Sequence, residues 1–488
     1  MNIKRAFLSG SLWTLTGNTG HQLINFAIFV YLARELSPRT FGIMAMAIAF
    51  TEIATIICRF GQTNAIVRLE KTHERVLSTA FWIICGWGVA LTLLISALSG
   101  IISNFYGEPD LKRVLLWLAP LPALSTIGAV HEAILRRHMK FHFIATKNIT
   151  AMIVSGTLSI ILVHLDYGIE ALIGQRLSFA IISSVSILLF ARWRPRMIFD
   201  KKESVYLISH GKSVVYNVLS NRLSPRLTDM IVGYFLGVYA LGLLRIANQM
   251  FEFISITIIH PVSDVLPAVF RHYQNDKKKL GVWYLKLSQI AAIVIFPAFT
   301  GMAVLSDELI FIAFGDQWAG SAIILQVLCI MFFLVPMIQF APPTMMAIGD
   351  MIPVTRLAFA KIILIGAVVT ILSHYEIVHV VIGLVIVQYL ITIGYFRVLT
   401  ERIPGLWPNL LIEALPPLLS AGAMCITVLW FHHIGPFSEI NNIYLKLICS
   451  ILAGVLSYSF FLLIGDVSGL WRGTVRRIYR LAEELLNR

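Results

Sequence analysis

Hydrophobic stretches of about 20 residues recur from Leu8 to Ile464, separated only by short polar breaks. A helix rising about 1.5 Å per residue crosses a hydrocarbon core of about 30 Å with roughly that length. Inside such a core no water satisfies the backbone, so a lipid-exposed span of this kind has to be helical. With 58% hydrophobic and 13% charged residues in a chain of 488, nothing is left over for a sizeable water-soluble domain. The expected fold class is an all-α membrane protein of about 14 transmembrane helices.

The spans are read near 8–33, 40–62, 78–105, 112–135, 143–164, 167–191, 207–234, 238–262, 282–305, 320–347, 355–374, 379–396, 411–432 and 443–465. Pro342 and Pro343 mark a possible break in the tenth. Met1 to Arg5 runs into a long apolar segment without a small-residue cleavage site, so the first span is expected to be retained. The five cysteines are scattered through apolar runs without metal-ligand spacing. The net charge of +13 does not indicate nucleic acid, because the basic residues sort by loop. With the amino terminus taken as cytoplasmic, 25 Lys and Arg fall on that face. Only Arg34, Arg39, Lys112, Arg113 and Lys446 fall on the other. With an even number of helices this asymmetry places both termini of an inner-membrane protein in the cytoplasm.

An ungapped self-match at an offset of 200 aligns Leu36, Gly42, Ala47, Glu52 and Ile56 with Leu236, Gly242, Ala247, Glu252 and Ile256. Six helices separate the two copies, an even number, so the repeat is parallel and its pseudo-two-fold axis runs along the membrane normal. The expected organisation is a six-helix lobe at 1–191, a basic cytoplasmic linker at 192–206 and a second six-helix lobe at 207–402. Helices 13 and 14 follow at 403–470. The tail at 471–488 spaces Val475, Ile478, Leu481 and Leu485 as an amphipathic helix for the anionic cytoplasmic leaflet.

Nine basic residues lie inside the spans, where charge is costly and marks function by default. Arg222, Arg226 and Asp229 follow i, i+4, i+7 spacing on the seventh helix, with Gly233 on the same face and Pro225 as a candidate kink. Arg245, Gln249 and Glu252 form a second polar stripe, and Asn18, His21, Gln22 and Asn25 a third. Guanidinium groups offer paired donors to phosphate oxygens and do not deprotonate, so the arginines indicate an anionic substrate. Lys147 and Arg176 extend this basic set as candidate substrate contacts. Against this, Arg226 with Asp229 is also readable as a satisfied ion pair, and Arg245 with Glu252 as a packing bridge. Glu52 and Glu252 occupy equivalent places in the two copies, each seven residues from an arginine on its own helix, Arg59 and Arg245. They are candidates for gating or for coupling to H+ or Na+, with a structural role as the alternative. The chain has no GxxxxGK[ST], HExxH, GxSxG or CxxC pattern, so neither an enzyme nor an ATP-driven pump is expected, and no cofactor.

LARELSPRTFGIMAMAIAF (32–50) and ILRRHMKFHFIA (134–145) resemble the amino-terminal lobe of the Wzx-type flippases. These belong to the multidrug/oligosaccharidyl-lipid/polysaccharide exporter superfamily. RLTDMIVGYFLGVYALG (226–242) and FGDQWAGSAIILQVL (314–328) resemble the carboxy-terminal lobe, and the likeness runs over about residues 5–400. Arg226 and Asp229 match the family's seventh-helix pattern, while Leu227 stands where an asparagine is common. The resemblance implies alternating-access flipping of an undecaprenyl-diphosphate-linked oligosaccharide repeat unit for exopolysaccharide, capsule or O-antigen assembly. Membrane lipids, and a polysaccharide polymerase and glycosyltransferases, would be its partners. One chain supplies both lobes, so a monomer suffices. The competing readings are a cation-coupled drug antiporter on the same scaffold, and a non-transporting scaffold for a polysaccharide synthase.

Overall fold

The computed structural model describes residues 20–59, 63, 66, 73–191, 193–201, 203–205, 222–272, 276–331, 335–403, 405–434 and 442–468. Among these residues the regular structure is helical throughout. Among the same residues ten helical runs are long and apolar enough to cross a membrane, one of them, 109–137, made of shorter helices in succession. Each lies over one of the spans read from the sequence. Residues 8–19 of the expected first span and 207–221 of the expected seventh lie outside those described, as do Asn18 and the tail at 471–488.

The chain divides into two compact units, residues 1–245 with 365–374, and residues 246–364 with 375–488. In the first unit α1 (20–35) and α2 (Pro38–Arg59) are followed by the long α3 (Glu74–Tyr106). The next span, expected as one helix, is three: α4 (Pro109–Leu118), α5 (Leu121–Ile127) and α6 (Ala129–Arg137). Pro120 and Pro122 lack the amide hydrogen that would continue α4, and Gly128 sits at the second break. α7 (Phe141–His164), α8 (Ile169–Phe190) and α9 (Ser224–Phe235) complete the helices lying wholly within this unit. Pro225 lies in the first turn of α9, directly after a π-turn at 222–223. α10 (Gly237–His272) begins in the first unit and continues in the second.

The second unit contains α11 (Lys277–Val304), α12 (Ser306–Phe314), α13 (Gly320–Cys329) and α14 (Val335–Ile348). α15 (Ile352–Leu372) straddles the two units, and α16 (Ile377–Arg402), α17 (Leu406–His433) and α18 (Ile443–Val467) complete the second. The expected tenth span is interrupted between α13 and α14, whereas Pro342 and Pro343 lie within α14. Asp276 caps α11, its carboxylate accepting from the backbone N–H of Lys279 at 3.1 Å, and this bond holds its carboxyl below the usual carboxylate range. Asn442 caps α18 through the N–H groups of Tyr444 and Leu445.

The described part of the basic linker is not free. Arg196 N–H donates to Ser78 and Asp200 N–H to Thr79, Trp82 donates to the Arg196 carbonyl, and Trp193 donates to Glu74. All four bonds fasten 193–200 along the first half of α3, and Trp193 packs against Phe81 and His131.

One helix crossing in the first unit, α2 against α10, is backbone against backbone at two points. A Cβ added to Gly42 of α2 would meet the carbonyl oxygen of Val238 at 1.7 Å, and one added to Gly242 of α10 would meet that of Pro38 at 2.0 Å. The contacts are reciprocal at an offset of 200: Gly42 corresponds to Gly242 and Pro38 to Val238. Gly233 of α9 is tight as well, but against the flexible end of Met46.

Gly42→Ala or Gly242→Ala must push two backbones apart and is expected to destabilise by about 1–3 kcal/mol, as overpacking does. The purified protein should therefore show a clearly lower thermal midpoint. Gly86→Ala, where a Cβ meets nothing within 4 Å, should leave the midpoint unchanged or slightly raised.

Candidate functional site

Charge at membrane depth collects in the first unit around Arg226. Its Nε donates to Glu52 Oε2 at 2.7 Å, and its NH1 to Asp229 Oδ2 at 2.7 Å. Asp229 lies three residues along α9 on the same face, whereas Glu52 reaches in from α2. The side chains of Arg226 and Asp229 are 14% and 8% exposed, but that of Glu52 is 40% exposed. Glu52 is thus bonded on one side and open on the other.

Two further guanidinium groups act on the same carboxylate. Arg176 of α8 and Arg245 of α10 both interact electrostatically with Glu52, and Arg245 also with Asp229. Among the described residues neither has a hydrogen bond or an ion pair within 4 Å. Arg176 is exposed. Arg245 is half-buried. Three guanidinium groups face two carboxylates, an excess of one positive charge. Such an arrangement attracts an anion and offers it planar, permanently charged donors.

The other basic residues expected here form a second group. Arg222 is exposed at the π-turn before α9, and its electrostatic neighbour is Arg59 at the end of α2. Arg59 donates to the carbonyl of Ser125, and its Nε is buried without a hydrogen bond. Arg59 therefore does not pair with Glu52, seven residues earlier on the same helix. Lys147 is 7% exposed and its ammonium donates to Glu132 Oε2 at 3.2 Å. Glu132 also accepts from Arg136 Nε and NH2, at 3.1 and 2.7 Å. The charge of Lys147 is consequently spent inside the protein. Glu132 was not among the residues singled out from sequence. The signal for it was an acid in the same apolar span, four residues before Arg136.

His21 and Asn25 are half-buried on α1, and His21 meets Phe179 edge-on with centroids 6.3 Å apart. Gln249 and Glu252 belong to the second unit, where Gln249 is buried and Glu252 exposed. A surface pocket of about 440 Å³ on α4, lined by Lys112, Arg113 and Trp117 among others, contains none of the candidate residues. No group of three or more His, Cys, Asp or Glu placed to hold a metal ion occurs among the described residues.

These helices define a multi-pass membrane protein with a transporter fold. The solved structure of the lipid II flippase MurJ in an inward closed conformation matches it with a TM-score of 0.77 at 16% identity. That match covers 95% of this chain and all of the other. The chain belongs to the polysaccharide biosynthesis protein family, whose model matches residues 31–323. The teichuronic acid biosynthesis protein TuaB of Bacillus subtilis is 25% identical over 479 residues, 94% of this chain and 96% of that protein. The lipopolysaccharide biosynthesis protein WzxC of Escherichia coli is 22% identical over 68% of each chain. The resemblance to Wzx-type proteins read from four sequence blocks is borne out.

The Lys147–Glu132 pair is separable from transport by its energetics. Glu132→Gln leaves Lys147 buried without its counter-charge and is expected to destabilise by about 3 kcal/mol. Lys147→Met should cost much less, and adding it to Glu132→Gln should restore much of the loss. Thermal midpoints of the four proteins in one detergent make the cycle.

Proposed function

We propose that this protein flips an undecaprenyl-diphosphate-linked oligosaccharide repeat unit across the bacterial inner membrane for polysaccharide assembly. The observation that carries the reading is the group Arg176, Arg226 and Arg245 in apolar helices, gathered on one partly exposed carboxylate, with Arg176 itself exposed. A diphosphate supplies the complementary charge and the oxygen geometry for guanidinium forks. A drug antiporter for cationic substrates would need carboxylates in excess, the reverse of what is present.

The proposed frame has 14 spans, both termini in the cytoplasm, and two six-helix lobes related by the parallel repeat. The reciprocal glycine contacts at an offset of 200 support that repeat. Alternating access lets the sugar cross through a wet space open to one side at a time while the prenyl tail stays in lipid. No covalent step is needed: the diphosphate arrives and leaves intact. A glycosyltransferase product would be the substrate and a polymerase would take the flipped unit, with a single chain sufficient for transport.

Deletion of the protein should leave lipid-linked repeat units accumulating on the cytoplasmic leaflet, relieved by the wild-type chain. Arg226→Gln, Arg176→Gln and Arg245→Gln should each reduce polymer export at least tenfold while the protein remains in the membrane at normal level. Normal export from all three variants would sink the diphosphate reading, and absence of accumulation on deletion would sink flipping itself.

A further inference from the structure

The acid in this site is placed as an occupant more than as a scaffold. A guanidinium has two edges on which an oxyanion can form paired bonds, one through Nε and one through the terminal nitrogens. On Arg226, Asp229 takes NH1 and Glu52 takes Nε. The two acids are held very differently. Asp229 comes from the same helix and is buried, so it moves only if α9 moves. Glu52 comes from a neighbouring helix on a longer side chain, with 40% of that side chain open. Its carboxylate is also a point on which Arg226, Arg176 and Arg245 all act. The chain's own anion sits at the focus of the three arginines.

We propose that Glu52 is a displaceable placeholder for the substrate's phosphate: it occupies the Nε edge of Arg226 in the empty protein and is expelled when a diphosphate enters. This rests on the reading of the arginines as the diphosphate site and adds to it a competitor built into the site. The exchange is balanced in charge, one anion leaving the guanidinium as another arrives, and no bond is made or broken other than hydrogen bonds. Asp229 stays and keeps Arg226 aimed. The released carboxylate has open space beside it and two nearby guanidinium groups, so rotation about its own side-chain bonds is sufficient to vacate the edge. Affinity is held down by the same exchange, because part of what the phosphate gains from Arg226 replaces what Glu52 had. A carrier benefits from such moderation, since a site that binds too tightly fails to release.

The full-length protein, purified in detergent, tests this with farnesyl diphosphate as the probe and farnesol as the control for the lipid chain. Glu52→Gln keeps the shape and removes the charge, and Glu52→Asp keeps the charge but shortens its reach. Both should bind farnesyl diphosphate about tenfold more tightly than wild type, the size of one charge-assisted hydrogen bond no longer competed for. Farnesol binding should be unchanged, and Arg226→Gln should bind the diphosphate more weakly than wild type. If both Glu52 variants bind no more tightly than wild type while Arg226→Gln binds more weakly, the placeholder is overturned and the arginine site stands. If Arg226→Gln binds as well as wild type, the diphosphate reading fails and the placeholder fails with it.

Discussion

A guanidinium cannot shed its proton, and a hydrocarbon core gives it no solvation, so an arginine within a span must be met by an anion, by water, or by both. The arrangement around Arg226 follows from this requirement. Asp229 meets the demand within α9, and Glu52 meets it from α2, so the ion pair also fixes α9 against α2. The same acids also act on the two further arginines nearby, Arg176 and Arg245.

The second basic group shows the other way to satisfy the requirement. Glu132 is shared between Lys147 and Arg136, Lys147 is almost fully enclosed, and nothing in that pair is offered to a ligand. Both groups are clusters of charge on apolar helices, and both look alike as letters. They differ in how the cations are held. Lys147 and Arg136 bond Glu132 directly, whereas Arg176 and Arg245 are left without a close partner among the described residues.

Much of the architecture was legible in the chain because lipid imposes a single length scale. The ten long apolar helical runs among the described residues stand where stretches of about 20 hydrophobic residues predicted them. Breaks were harder to read: Pro120 and Gly128 divide one span into three helices, yet Pro342 and Pro343 leave theirs continuous. A proline interrupts a helix only where the lost donor finds no other relief, and that depends on neighbours the sequence does not order. In the site, Arg226 and Asp229 were paired by their spacing on one helix. The bond from Arg226 to Glu52, 174 residues away, was not, since helical periodicity says nothing of which face meets which neighbour. For the same reason Lys147 could be recognised as an intramembrane charge but not as one already neutralised by Glu132.

Where Gly42 lies on the Val238 carbonyl and Gly242 on that of Pro38, α2 and α10 meet backbone to backbone at two points about one turn apart. Helices packed ridges into grooves can yield a little at each contact, because a side chain there can change its rotamer. A backbone resting on a backbone has no rotamer to change. Two such points on one pair of helices act as the studs of a clamp: one sets how near the helices come, and the second, a turn away, sets the angle at which they cross.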